Sequence, residues 1–106
     1  MTKTKINAGI CGFNTTVEAS MNGSGCLVRV QSECKAIQKL AKKLDYVDPF
    51  QEITFRHEGP LTLFMAKKYC SHTACPVPVG IIKAVEVEAG LALPADASIK
   101  FSKSEK

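Results

Sequence analysis

Apolar and polar residues alternate along the first third of the chain, with the period of two that is typical of strands buried on one face. The alternation includes Ile6, Ala8 and Ile10, and it resumes after a turn that contains Gly12. A second turn signal at residues 21–25, rich in Gly, Asn and Ser, precedes a third alternating stretch. Three antiparallel strands joined by hairpins are therefore predicted, with one apolar face that needs a cover.

A first helix is predicted after Ser32, which is a favourable N-cap residue. Apolar residues then recur every three or four positions, while lysines occupy most of the remaining positions. We expect this helix to end near residues 46–48, because Pro49 disfavours helical geometry in the residue before it. Residues 51–56 alternate only briefly, and the sequence leaves them open between a short strand and an irregular connection.

Proline marks the start of two further predicted helices, because its fixed φ suits the first helical turn. One helix is predicted from Pro60 to about Cys70. The other is predicted to begin with Cys75 as N-cap and Pro76 in its first turn. It is expected to end at Gly90, since glycine most readily adopts the left-handed conformation that stops a helix.

These elements predict an α+β fold with a mainly antiparallel sheet of about four strands and about three helices packed on one face. Three strands are N-terminal, and the fourth is a closing C-terminal strand through Ala97, Ile99 and Phe101. At 106 residues the chain is expected to form a single domain, 1–106, with a frayed tail at 103–106.

Charge and hydropathy narrow the classes of function. A formal net charge of only +4, no tryptophan and no interleaving of basic with aromatic residues argue against nucleic-acid binding. No run of about 18 apolar residues is present, so no membrane span is expected, and no apolar run follows the N-terminal lysines as in a secretory signal. We therefore expect a cytoplasmic protein whose five cysteines are reduced, serving as metal ligands, reactive thiols or core residues.

Four of the five cysteines are predicted at the ends of helices or strands, where side chains from different elements converge. Two of them, Cys34 and Cys75, stand at predicted helix N-termini, whose unpaired amides favour the thiolate form that binds metals and attacks sulfur. His72 lies between Cys70 and Cys75, which gives three donor side chains within a short segment. The candidate site residues are therefore Cys11, Cys34, Cys70, Cys75 and His72.

Three functions remain open for these residues. Zinc or an iron–sulfur cluster would take Cys11, Cys34, Cys70 and Cys75, with His72 as a further candidate, although only the last two cysteines form a local pair. A metal-free sulfur-relay protein would use Cys75 alone as the catalytic thiolate that accepts and passes on a persulfide. A non-catalytic interaction domain with structural cysteines is the third. The first two imply a protein partner for sulfur or electron transfer, and catalysis itself is left open.

Other chemistry-bearing residues are expected to be structural. Cys26 alternates with valines, which predicts a core position. His57 lies between two charged residues and is expected on the surface. No Ser–His–Asp order, phosphate-binding glycine loop or pair of carboxylates stands out.

Cys75, Pro76, Val77 and Pro78, followed by a predicted helix, resemble the Cys-Pro-x-Pro signature of the TusA-like sulfur-carrier proteins. The resemblance implies that Cys75 opens a helix and bears a persulfide. In those proteins the motif follows the first strand, whereas here three predicted strands and two predicted helices precede it. The whole chain is also similar to a small uncharacterised prokaryotic family, through Ile-Cys-Gly-Phe at residues 10–13 and His-Thr-Ala-Cys-Pro at residues 72–76, and this similarity implies no function.

Overall fold

The structure is a computed structural model that describes residues 1–104. The strands form one antiparallel sheet in the order β1-β2-β3-β4. This architecture confirms the predicted α+β class with an antiparallel sheet of about four strands. The elements are, in chain order, β1 (Thr2–Asn7), β2 (Asn14–Asn22), β3 (Gly25–Ser32), α1 (Lys35–Lys43), β4 (Tyr46–Val47), α2 (Pro49–Glu52), α3 (Leu61–Tyr69) and α4 (Val77–Glu88).

The alternating sequence of β2 determines which face of the sheet is buried. Thr15, Val17 and Ala19 are buried, while the residues between them are partly exposed. Val17 lies opposite Thr4 of β1 and Val30 of β3, so the same face is apolar or small across three strands. A shift of one residue in this register would turn the buried residues to solvent, which is why the alternation specifies the pairing.

Helices cover that face, as predicted. Helix α4 packs on β1 and β2, α1 packs on β3, and α3 packs against both helices. The approach of α4 to β1 is close at Gly80, where an added Cβ would lie only 2.3 Å from Cδ1 of Ile6. The helices and the C-cap residue of α1 contribute the largest buried side chains of the core, namely Ile37, Leu40, Leu44 and Ile81.

The C-terminal end of α4 is tied to the opposite end of the sheet through Glu88. Its carboxylate accepts hydrogen bonds from the Thr2 hydroxyl at 2.8 Å and from the Met21 backbone N–H at 3.1 Å. These hydrogen bonds favour the charged form and hold the pKa of Glu88 below its usual range. Because Gly80 lies against the end of β1 and Glu88 against its beginning, α4 runs antiparallel to β1.

The predicted closing strand through Ala97, Ile99 and Phe101 is wrong, because residues 97–101 form no strand and the fourth strand is β4 instead. β4 pairs with the first residues of β3 and forms the edge of the sheet opposite to β1. Two residues are too few to show an alternating pattern, so β4 could not be predicted from local periodicity.

Tyr46 explains why the chain returns to the sheet at β4. The Tyr46 hydroxyl donates a hydrogen bond to the carbonyl oxygen of Asn22 at 3.0 Å. Its ring lies over Gly25, where an added Cβ would come within 2.2 Å of the ring atoms. The absence of a side chain at Gly25 therefore lets the aromatic ring anchor the short strand.

The helix boundaries differ from the predictions mainly at their N-termini. Cys34, and not Ser32, is the N-cap of α1, which ends at Lys43, before the predicted residues 46–48. Pro76, and not Cys75, is the N-cap of α4. Residues 51–56 were predicted to form a short strand or an irregular connection. This is wrong for residues 51 and 52, which belong to helix α2.

Other boundaries were predicted correctly. Helix α3 follows Pro60 and ends before Cys70. The stop after α4 is confirmed, with Gly90 at a φ of 75°. The predicted frayed tail at 103–106 falls partly outside the described residues. Within residues 1–104 no helix is long and apolar enough to cross a membrane.

Candidate thiol site

One end of the sheet collects several of the predicted site residues. At this end β1 and β3 finish and β2 begins, as their antiparallel registers require. Helix α1 starts directly after β3, with Cys34 as its N-cap. The first turns of α4 reach the same end, because Gly80 lies against Ile6, and Cys75 precedes that helix.

Three cysteines lie together at this end and are called the three-thiol cluster: Cys34, Cys70 and Cys75. Cys34 caps α1, Cys70 caps the C-terminus of α3, and Cys75 lies just before α4. All three are free thiols, half-buried, and packed against the hydrophobic core. The ends of three helices thus converge on one group of thiols, as the element-end positions of these cysteines predicted.

The thiol of Cys70 is affected electrostatically by the other two cysteines of this cluster. Burial raises the pKa of the Cys70 thiol, and negative charge on Cys75 and then on Cys34 raises it further. Coupling of this kind requires proximity and incomplete solvent screening. Cys70 therefore keeps its proton to a higher pH than an ordinary cysteine.

Cys34 is held through its backbone rather than through its thiol. The Ser32 hydroxyl accepts a hydrogen bond from the Cys34 N–H at 3.1 Å and lies 2.7 Å from the Thr15 hydroxyl. The Cys34 carbonyl accepts the first helical hydrogen bond of α1, from the Gln38 N–H at 2.9 Å. Because the Cys34 side chain forms no capping hydrogen bond, its sulfur remains available to the cluster.

The loop between Cys70 and Cys75 is fixed at both ends. The Cys70 N–H donates to the Ala66 carbonyl at 2.8 Å, and the Cys75 N–H donates to the His72 carbonyl at 3.3 Å. No side chain caps the N-terminus of α4. The unpaired amides that begin α4 therefore favour negative charge next to Cys75.

The other two candidate residues lie outside the three-thiol cluster. Cys11 is exposed on the β1–β2 turn, which is closed by a hydrogen bond from the Ala8 N–H to the Phe13 carbonyl at 3.1 Å. His72 is exposed, and its backbone carbonyl accepts the hydrogen bond from the Cys75 N–H. Among residues 1–104, no group of three or more His, Cys, Asp or Glu side chains is arranged to hold a metal ion.

The two expectations about structural residues are confirmed. Cys26 is fully buried in the core, and burial raises the pKa of its thiol. It lies at the first residues of β3, at the opposite end of the sheet from the three-thiol cluster. His57 is exposed, with a φ of 60° in a loop after α2.

Glu52 supports the cluster from a distance, and the sequence analysis did not single it out. Its side chain is only 1% exposed, and its carboxylate accepts hydrogen bonds from the Leu61 N–H at 2.6 Å and the Thr62 N–H at 3.0 Å. The Thr62 hydroxyl donates to the same carboxylate. Glu52 of α2 thereby caps α3, the helix that carries Cys70. The sequence does indicate that α3 needs a capping group from elsewhere, because Pro60, at its N-cap, has no side-chain group that can accept a hydrogen bond.

Comparison with known proteins adds one match. A family model described as "Family of unknown function (DUF6951)" matches residues 2–101, a span that contains the whole sheet, all four helices and the three-thiol cluster. This agrees with the similarity to an uncharacterised family expected from the sequence. No curated protein and no solved structure matches the chain.

Proposed function

We propose that this chain, which belongs to the family of unknown function DUF6951, is a sulfur-relay protein whose Cys75 thiolate accepts a sulfane sulfur and passes it on. The observation that supports the proposal is the position of Cys75. It is partly accessible, it precedes the uncapped start of α4, and it lies near Cys70, which in turn lies near Cys34. Cysteines that served only to fill the core would have no reason to collect at three helix ends.

The proposed transfer needs no oxidant or reductant. The Cys75 thiolate attacks the outer sulfur of a donor persulfide, R–S–SH, and a new sulfur–sulfur bond forms at Cys75. The bond in the donor breaks, and R–S⁻ leaves with its electron pair, so Cys75 becomes a persulfide. An acceptor thiolate then repeats the same displacement and restores the Cys75 thiolate. The thiolate is the nucleophile in each step, which is why the helix start matters.

Cys70 has a protective role in this scheme. A Cys70 thiolate would attack the inner sulfur of the Cys75 persulfide, form a Cys70–Cys75 disulfide and release HS⁻. Burial and the neighbouring thiols raise the pKa of Cys70, so this thiol stays protonated and is a poor nucleophile at neutral pH. The carried sulfur is therefore kept until an acceptor takes it.

Incubating the reduced protein with inorganic polysulfide is expected to add sulfur to Cys75, as measured by peptide mass spectrometry after alkylation. Cys75→Ser is expected to lose this persulfide, because serine cannot hold a sulfane sulfur. Cys11→Ser is the matched control, since it removes an exposed thiol outside the cluster and should leave the Cys75 persulfide in place. Equal sulfur loading of all exposed thiols, with no preference for Cys75, would contradict the proposal.

The pH dependence tests the role of Cys70. As the pH rises toward the raised pKa of Cys70, the Cys75 persulfide is expected to decay faster, with release of sulfide and formation of the Cys70–Cys75 disulfide. Cys70→Ser should remove this alkaline decay while leaving loading at neutral pH intact. If the alkaline decay is the same in Cys70→Ser, then Cys70 does not attack the Cys75 persulfide.

Metal binding is a second candidate, favoured by the position of Cys11. The β1–β2 turn that carries Cys11 lies at the same end of the sheet as the three-thiol cluster. Movement of this turn would bring a fourth thiolate to Cys34, Cys70 and Cys75, which matches the donor set of zinc or an iron–sulfur cluster. Since these donors are not arranged around an ion in residues 1–104, binding would require such a rearrangement.

Metal analysis and the visible spectrum of anaerobically purified protein distinguish the two candidates. The sulfur-relay proposal predicts a colourless protein with less than stoichiometric metal. Stoichiometric zinc, or iron with sulfide, that is lost in Cys11→Ser would instead establish the four-thiolate site. Stoichiometric metal that is retained in both Cys11→Ser and Cys75→Ser would argue against both.

A further inference from the structure

The chain after α4 has the alternating apolar and polar pattern of a β-strand, but it is not part of the sheet. Residues 92–104 form no helix or strand. Within them Ala97, Ile99 and Phe101 alternate with polar residues. The Ile99 and Phe101 side chains are 76% and 92% exposed, which is costly for large apolar groups that fall on one side of an extended segment.

This segment belongs to the domain that defines the family. The family model extends through residue 101 and therefore includes all three alternating apolar residues. None of residues 91–104 is among the buried core residues or the half-buried apolar residues that pack against them. The molecule measures 53 × 28 × 27 Å, whereas the nine residues of β2 span only about 30 Å, so the long dimension includes parts that project beyond the sheet.

β1 offers a complementary edge. It lies at one side of the sheet, and no described strand pairs with its outer side. Thr2, Thr4 and Ile6 face the helices and are partly buried, while Lys3 and Lys5 face solvent. An unpaired edge strand presents backbone N–H and C=O groups to which another strand can add. The alternation in residues 96–102 repeats that of β1, with apolar groups for the helix side and Asp96, Ser98 and Lys100 for the solvent side.

We propose that residues 97–101 of one chain add to the β1 edge of a second copy, and that the second copy returns its own segment in the same way. Five extended residues span about 17 Å, which matches the length of β1. We infer that the partner is a second copy of the chain for two reasons. The segment is exposed and extends beyond its own core, and its alternation of apolar and polar residues matches that of β1. Reciprocal exchange closes the assembly as a two-fold symmetric dimer.

Sedimentation velocity of the full chain over a range of concentrations is expected to show a monomer–dimer equilibrium. The double variant Ile99→Asp and Phe101→Asp should raise the dimer dissociation constant by about 100-fold, because burying each side chain is worth at least about tenfold in affinity. Both positions are exposed in the single chain, so the variant should keep the thermal unfolding curve of the monomer. Ser98→Asp is the matched control, since it adds a charge on the solvent side and should leave the dissociation constant within about threefold.

Hydrogen exchange locates the contact. In the dimer, the backbone amides of residues 97–101 and of β1 should exchange more slowly as protein concentration rises, and the double variant should abolish this dependence. The proposal is overturned by a chain that remains monomeric at all concentrations, or by a dimer that the double variant does not weaken. Concentration-independent protection of residues 97–101 would show that the segment pairs with its own β1, and open-ended polymers would exclude reciprocal exchange.

Discussion

Glu52→Ala is expected to lower the free energy of unfolding by about 3–5 kcal/mol. The substitution leaves the N–H groups of Leu61 and Thr62 and the hydroxyl of Thr62 without the acceptor that they share. Each hydrogen bond to a charged group contributes about 1.5–3 kcal/mol, and a donor left unpaired in the interior costs about 1–3 kcal/mol. Urea unfolding followed by circular dichroism measures the loss, which is a large share of the total stability of a domain of this size.

Two further variants separate capping from charge. Glu52→Gln keeps one acceptor oxygen in place and should lose clearly less than Glu52→Ala. Glu58→Ala removes an exposed glutamate from the loop that follows α2 and should change stability by at most about 0.5 kcal/mol. If Glu52→Ala costs no more than Glu58→Ala, then Glu52 does not cap α3.

Ile81→Ala is expected to be the second large destabilisation, by about 2–5 kcal/mol. Ile81 is fully buried in α4, between the helix and the sheet, and its truncation leaves a cavity in the core. Surrounding residues can relax only in part, because the position of α4 is fixed by the close contact at Gly80 and the hydrogen bonds of Glu88. Thermal and urea unfolding give the magnitude.

Val79→Ala is the matched control on the same helix. Val79 lies two residues from Ile81 but is 53% exposed, so its truncation removes little buried surface. Alanine also has the higher helix propensity, which offsets part of the loss. We expect a change of at most about 0.5 kcal/mol. Equal effects at the two positions would mean that the side of α4 that carries Ile81 does not pack against the sheet.

The sequence predicted the elements whose patterns are local and long. The period of two in β1 to β3 and the proline and glycine boundaries of α3 and α4 could be identified because each depends only on neighbouring residues. β4 depends instead on the contact between Tyr46 and Gly25, which are distant in sequence. The segment through Phe101 has a strand pattern but pairs with no strand among residues 1–104. An alternating pattern alone does not show whether a partner strand is available.

The candidate site was predictable in part for the same reason. Placing Cys34, Cys70 and Cys75 at helix ends identified the residues that converge, because helix ends can be located from local signals. Cys11 was also predicted at the end of an element, and His72 was chosen because it lies between Cys70 and Cys75. Both lie outside the cluster, since the direction in which a turn points depends on tertiary structure. Glu52 was missed because its partner, the N-terminus of α3, is nine residues away and buried with it.

The arrangement of α4 has a consequence for how the molecule is made. The ribosome synthesises β1 and β2 first, and the helix that covers them is among the last elements to appear. Until α4 leaves the exit tunnel, the apolar face of β1 and β2 stays exposed to solvent. Contacts between such distant parts of a polypeptide slow the search for the native state. Ribosome-associated chaperones are therefore expected to hold this chain until α4 has left the exit tunnel.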